Sequence, residues 1–331
     1  MKTYTRFSIC LLILHFNARA QENDHSFSDT FKVSQPAQLV VSSDDGNIEV
    51  LPSDKSHIEV YYILRKNNQL LKISRDDLKK EVTLMVTSSA NGANISVNYP
   101  LNLGRKLTDG LTSTNWNNRI VVNLKIYVPK QTACNLRTSD GNIRLDGLSS
   151  NQVFKTSDGN IHVSNINGSV KGHTSDGNIL SEDIRGSVDL KTSDGDISLE
   201  DIAGNVSSST SDGKMQATNI KGDLSLKTSD GDIQFSAVEG SVFAHTSDGS
   251  IKGNIIKLHR KLTLETGDGN IDVTIPDGLG LQLDIKAESI HTSLKNFSGT
   301  SKKKIVQGQL NGGGIPVTIK TSEGNVNLNF R

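Results

Sequence analysis

Eight aspartates recur at a fixed interval. Asp140, Asp158, Asp176, Asp194, Asp212, Asp230 and Asp248 stand 18 residues apart, and Asp268 follows after 20. Carboxylates in such a row could do three kinds of chemistry. They could hold calcium, which takes several oxygen ligands and is bound by repeats-in-toxin proteins between glycine-rich nonapeptide coils that carry an aspartate. They could cleave glycosidic bonds, since retaining glycosidases set two carboxylates about 5–5.5 Å apart. They could also hydrogen-bond the backbone of their own turns.

Each chemistry makes a demand on the pattern. For calcium, the second nonapeptide of each repeat lacks the aspartate, and the doubled form appears only at Asp194-Gly195-Asp196 and Asp230-Gly231-Asp232. For hydrolysis, every neighbouring pair in a stack with a pitch of about 4.8 Å meets the distance, so the distance selects none of them. No copy of the repeat inserts an odd reactive residue. The expectation is therefore that each carboxylate caps its own corner, with Arg137, Lys155, Lys191 and Lys227, three residues earlier, offsetting repulsion along the row. A calcium ladder on the eight aspartates and a polysaccharide-active enzyme are the alternatives; no catalytic residue and no cofactor other than calcium is nominated.

The elements that must position this row follow from the residues around it. Thr-Ser-Asp-Gly opens seven consecutive units, Thr266-Gly-Asp268-Gly an eighth, and a second glycine falls nine residues after the first in unit after unit. A fixed short period is the mark of stacked coils. In the unit from Gly195 to Asp212, Ile197-Ser198-Leu199 and Val206-Ser207-Ser208 alternate in period two between turn residues, so each coil reads as two short strands with a glycine corner at each end. The prediction is an all-β, two-faced β-solenoid with 18-residue coils; three hexapeptides per coil would give a three-sided form, against which the glycine period of nine argues.

Two inward rows refine this. Four residues before each aspartate stand Leu136, Phe154, Gly172, Leu190, Ser208, Leu226, Ala244 and Leu264. Five residues after stand Leu145, Val163, Ser181, Leu199, Ala217, Phe235, Gly253 and Val273. From the third coil onward both rows alternate small with large, so a bulky layer overhangs a slender one and the packing repeat is 36 residues. Thr138, Thr156, Thr174, Thr192, Thr210, Thr228, Thr246 and Thr266 would stack as a hydroxyl ladder at one edge. A single coil buries too little to fold alone, and neighbours supply the rest.

Lys2 and Arg6 precede the apolar run from Phe7 to Phe16, and Ala18-Arg19-Ala20 precedes Gln21. Residues 1–20 thus read as a secretory signal peptide, too short for a retained membrane span, and the mature chain as exported: periplasmic, secreted or cell-surface. The full chain balances 36 basic against 36 acidic residues, and signal removal takes three basic ones, which leaves no electrostatic footprint for nucleic acid. Cys134 sits at an inward position and reads as a buried free thiol.

Residues 21–131 read as a strand-rich lead-in that caps the first coil, with runs over Gln38 to Ser42, Asn47 to Leu51, His57 to Leu64, Glu81 to Thr87, Asn94 to Tyr99 and Ile120 to Val128, and a loop at 101–118. Residues 132–275 are the repeats. Residues 276–331 form the C-terminal cap, closed by the degenerate copy Ser322-Glu323-Gly324-Asn325-Val326; Lys302-Lys303-Lys304 reads as a solvated loop. His173 and His245 share a register but lie four coils apart, too far for one metal ion, and His57, His162 and His259 read as isolated surface residues.

The signal peptide, the lead-in ending Val121-Val122-Asn123-Leu124-Lys125-Ile126-Tyr127-Val128-Pro129 and the tandem Ser-Asp-Gly-Asn-Ile units together resemble the bacterial putative adhesin family. The resemblance implies an exported β-solenoid domain of unknown function in surface or envelope proteins, with no catalytic residues to carry over. It points to a non-enzymatic adhesion or scaffold protein whose partner is a cell-surface polysaccharide or an envelope protein.

Overall fold

The computed structural model describes residues 24–100 and 119–331. The signal peptide expected at 1–20 and the loop expected at 101–118 lie outside the described residues. Apart from one helical turn at Arg75–Leu78, the described residues are all-β, and their 28 strands join one sheet.

The repeats stack as expected, with parallel pairing at a constant offset of one coil. In one coil the long strand is β16 (Ile197–Ala203) and the short strand is β17 (Val206–Ser209). β16 pairs with its counterparts one coil before, β14 (Ile179–Arg185), and one coil after, β18 (Met215–Lys221). β17 likewise lies between β15 (Val188–Lys191) and β19 (Leu224–Lys227). Ile197, Leu199, Ile202 and Val206 face inward and are buried.

The long strand contains a bend that alternation alone does not disclose. Leu199 and Ile202 both point inward although they are three residues apart. Asp201 between them adopts φ 53°, and Asn165, Asp183, Asn219 and Ala237 do the same in other coils. Pairing steps over this residue, from Glu200↔Thr218 to Ile202↔Ile220. An extra residue in the left-handed region shifts the alternation by one, as a bulge does, and gives each coil a third change of direction. Asp and Asn tolerate that conformation better than other side chains.

The interlocking layers are present. Phe154 pairs with Gly172, which pairs with Leu190. A methyl group placed on Gly172 would lie 2.3 Å from the Phe154 ring, and one on Gly253 would lie 2.1 Å from the Phe235 ring. The corner glycines serve a different purpose from the one their type suggests: Gly195 has no positive φ, but a Cβ there would sit 2.0 Å from the carbonyl oxygen of Gly177 in the coil below. Close approach of successive backbones demands glycine at this corner.

Both ends are interleaved. Near the N-terminus, β2 (Ala37–Ser43) and β3 (Ile48–Ser53) form a coil that stacks on β9 (Thr132–Arg137) and β10 (Ile143–Asp146). On their other side lie β7 (Gly92–Asn98) and β8 (Ile120–Pro129), which come later in the chain. Antiparallel strands β4 (His57–Lys66) and β6 (Thr83–Ser89) then cover β8 and β7, and β1 (Phe27–Lys32) covers β4.

At the C-terminus, β27 (Ile315–Thr321) and β28 (Asn325–Phe330) insert between β21 (Ile251–Thr266) with β22 (Ile271–Ile275) and β23 (Leu281–Lys286) with β24 (Ser289–Thr292). The degenerate copy at Ser322 therefore does not close the stack; it is the coil before the last. Antiparallel β26 (Ile305–Leu310) and β25 (Phe297–Lys302) cover the end, and the three lysines sit at their hairpin turn. Antiparallel covers give the open parallel edges a partner for their backbone groups.

Candidate functional site

The corner column is built from two rows with different duties. Thr192 is buried, and its hydroxyl donates to the carbonyl oxygens of Ser175 and Gly177 in the preceding coil, at 3.0 Å each, while accepting from the amide of Gly195 at 3.3 Å. The same three contacts recur at Thr156, Thr174, Thr210, Thr228, Thr246 and Thr266, and Thr321 repeats them in the inserted C-terminal coil. One hydroxyl thus bolts each corner to the one below.

The aspartates do not cap. All eight are exposed, and among the described residues no hydrogen bond reaches the carboxylates of Asp158, Asp176, Asp194, Asp212, Asp230, Asp248 or Asp268. No ion pair joins them to Lys155, Lys191 or Lys227. The expectation of self-capping carboxylates balanced by neighbouring cations is corrected on both counts. Threonine, two residues earlier and facing inward, reaches the orphan backbone groups first, so the carboxylate is left in water.

The corners are tied a second time by a row that the sequence reading passed over. The Asn142 side chain accepts the amide of Asn160 at 2.8 Å, Asn160 accepts that of Asn178, and Asn178 that of Asp196. Asp196 accepts the amide of Lys214 and Asp232 that of Ser250. The signal was visible as Asn or Asp two residues after most of the eight aspartates.

Only the first aspartate has company. Arg119 pairs with Asp45 and lies 3.7 Å from Asp140, with its guanidinium 5.0 Å from the Tyr99 ring centre. Tyr99 donates its amide to Asp44 at 2.8 Å. Partial burial, then the charges of Asp45 and Asp158, push the Asp140 carboxyl above its ordinary value, against the pull of Arg119. Among the described residues, no three of His, Cys, Asp and Glu gather as a metal site.

The histidines are less isolated than expected. His162 lies 3.1 Å from Glu182, His57 2.9 Å from Glu59 and His245 3.9 Å from Glu265. His173 and His245 do share one outward row. Burial, followed by Lys155 and Lys191, holds the His173 imidazole below its usual value. Cys134 is free and buried, and burial pushes its thiol up.

The 20-residue unit breaks the repeat. Where β20 (Ile233–His245) pairs with β21, Gly240 faces Leu258 and Val242 faces Leu262, so His259, Arg260 and Lys261 stand opposite Ser241 alone. The three extra-coil side chains are exposed. Arg260 reaches back two coils to pair with Asp223. Beside this bulge the outward face of β15, β17, β19, β20 and β21 forms an open groove of about 640 Å³. Burial would raise the Asp223 carboxyl, but the amide of Ser241 and the Arg260 guanidinium outweigh it and hold it below the ordinary value. The signal in the sequence was the two-residue lengthening itself, which carries a basic cluster.

No curated protein matches the chain. Among the solved structures similar to it, three cover 92% of its length. One is a putative cell adhesion protein from Clostridium sporogenes, at 12% identity, 99% of that chain covered and a TM-score of 0.22. Another is a putative lipid binding protein from Parabacteroides distasonis, at 14%, 97% and 0.41. The third is a putative adhesin from Bacteroides fragilis, at 12%, 96% and 0.30. The family model of Toastrack DUF4097 matches residues 37–244 and again residues 187–329. With the lead-in coil, the repeats and the interleaved C-terminal coil all inside those two matches, the chain belongs to the Toastrack DUF4097 family.

Proposed function

We propose that this protein is a non-enzymatic, exported β-solenoid that presents a regular charged edge for adhesion to, or organisation of, polymers of the cell envelope. The observation that carries the reading is the aspartate column. Its carboxylates repeat at the coil pitch, point into water and take no part in holding the corners, which the threonines hold instead. Side chains that the fold does not use, kept in one register, are available to a partner. A general acid–base pair needs unlike environments for its two carboxylates; beyond Asp140, which lies beside Arg119, the environments along this column repeat.

The test has two arms. Protein recovered from the producing cells is sequenced from its N-terminus, and the mature chain is expected to begin at Gln21, outside the cytoplasm. The purified chain is then incubated with a panel of acidic and neutral polysaccharides while reducing ends and unsaturated products are followed. Binding without turnover is the expected result. Turnover that disappears on a single Asp→Ala change in the column would overturn the non-enzymatic reading.

A further inference from the structure

Among the described residues, three features meet in the groove beside the 20-residue coil. First, its charge does not cancel. Asp223 is paired with Arg260, and Asp189 lies 3.6 Å from Lys171. Lys191 and Lys261 line the groove, Lys227 adjoins it, and none of the three has an ion-pair partner among the described residues. Lys227 instead holds its ammonium 5.2 Å from the ring centre of Phe243.

Second, the groove contains a buried hydroxyl with nothing to bond. Thr263 shares the outer register of Phe243, is 5% exposed, and its Oγ1 finds no hydrogen-bond partner. Leaving such a group unpaired costs free energy in a folded chain, which a ligand donor or acceptor would recover once the side chain turns outward about χ1. Third, the floor is periodic. Asp189, Ser207, Ser225 and Phe243 succeed one another in a single register across successive coils.

We infer that this groove binds an extended anionic polysaccharide of the uronate-bearing kind, laid along the stack axis. The inference rests on the envelope-polymer reading above, names a ligand class for it, and places that ligand in the groove rather than on the aspartate column. Coils follow one another at about 4.8 Å, so a chain of sugar rings running along the axis advances by about one ring per coil. Carboxylates on the polymer meet Lys191, Lys227 and Lys261. Its hydroxyls meet Thr263, turned outward, and the serines of the floor. The Phe243 ring offers a flat apolar surface to a sugar face. The basic bulge at His259 to Lys261 closes one end and, through Arg260, keeps Asp223 from repelling the ligand.

Titration calorimetry on the full mature chain tests this with three probes: an oligogalacturonate, its methyl-esterified neutral form, and a single-stranded DNA oligomer of similar charge. Oligogalacturonate is expected to bind in a salt-sensitive way, the ester far more weakly and the DNA no better than the ester. Lys191→Ala and Lys261→Ala should each weaken oligogalacturonate by about tenfold, the loss expected when a hydrogen bond to a charged group goes.

Thr263→Val should weaken binding severalfold without lowering the melting temperature, because its hydroxyl has no partner to lose in the free protein. Lys302→Ala, on the distant hairpin turn, should change nothing. Equal binding of DNA, or equal weakening by Lys302→Ala, would show unspecific charge attraction and overturn the site. Envelope-polymer binding untouched by the groove variants would also overturn it while leaving the adhesion reading standing, whereas turnover of the probe would overturn that reading itself.

Discussion

At Thr192 and Asp194, two residues apart, the division of labour in this protein is decided. The threonine hydroxyl is buried and makes three hydrogen bonds to backbone of its own and the preceding coil. The aspartate is exposed. Both rows were plain in the sequence, and the threonines were expected as a structural hydroxyl ladder; the aspartates' role was not legible, because residue type alone assigns corner capping to aspartate. What decides is reach: Thr192 faces inward, where the unpaired amide of Gly195 lies.

The small residues of the core were more legible, since a narrow pitch leaves no other way to pack leucine and phenylalanine. Gly253 faces the Phe235 ring so closely that Gly253→Ala would overpack the layer. That change should cost about 1–3 kcal/mol in chemical denaturation. Adding Phe235→Leu should recover part of it; a loss unaffected by the second change would mean that the two layers do not interlock.

Within the coil, the alternating pattern located the strands and the glycine period located two bends. The third bend escaped because it is made without glycine, by Asp201 and its counterparts at φ near 53°. Its trace in the sequence is Asn165, Asp183, Asp201 and Asn219 in one register, residues that suit the left-handed region. The fifth member, Ala237, lacks that tolerance. Ala237→Gly should therefore stabilise the protein by about 0.5–1 kcal/mol, the left-handed penalty removed less the entropy that glycine loses on folding. An unchanged or lowered midpoint in urea would argue against a strained bend at this position.

The lengthened coil carries a related lesson. Its two extra residues were evident, yet a groove forms only when the bulge is set against coils two layers away, as the Arg260 pairing with Asp223 shows. Distances between layers are not written in any one repeat.

The whole molecule is a stack whose ends are locked by chain order. Strand positions in the lead-in were readable, with the expected runs from His57 and Ile120 matching β4 and β8. Their order in space was not, because a later coil slips outside an earlier one at the N-terminus and inside it at the C-terminus. Each coil contacts its neighbours, so removing an inner coil exposes two faces while removing an outer one exposes a single face.

Truncation after Leu310 deletes β27 and β28 and should abolish cooperative thermal unfolding of the C-terminal third, measured by hydrogen exchange across β21 and β23. Retained protection in those strands would contradict the interleaved order. The stack also holds itself together by threonine and asparagine rows, so a chelator is expected to leave its melting temperature unchanged; a fall in that temperature would return the aspartates to a calcium-binding role.

The paired thermal and chemical melts of Thr192→Val and Asp194→Asn test the central claim most directly. The account predicts that Thr192→Val loses about 1–3 kcal/mol, since a buried amide is left without its acceptor. It predicts that Asp194→Asn stays within about 0.5 kcal/mol of the parent, as a surface change does. A large loss at Asp194 with none at Thr192 would mean that the carboxylates hold the stack after all, and are not free for a partner.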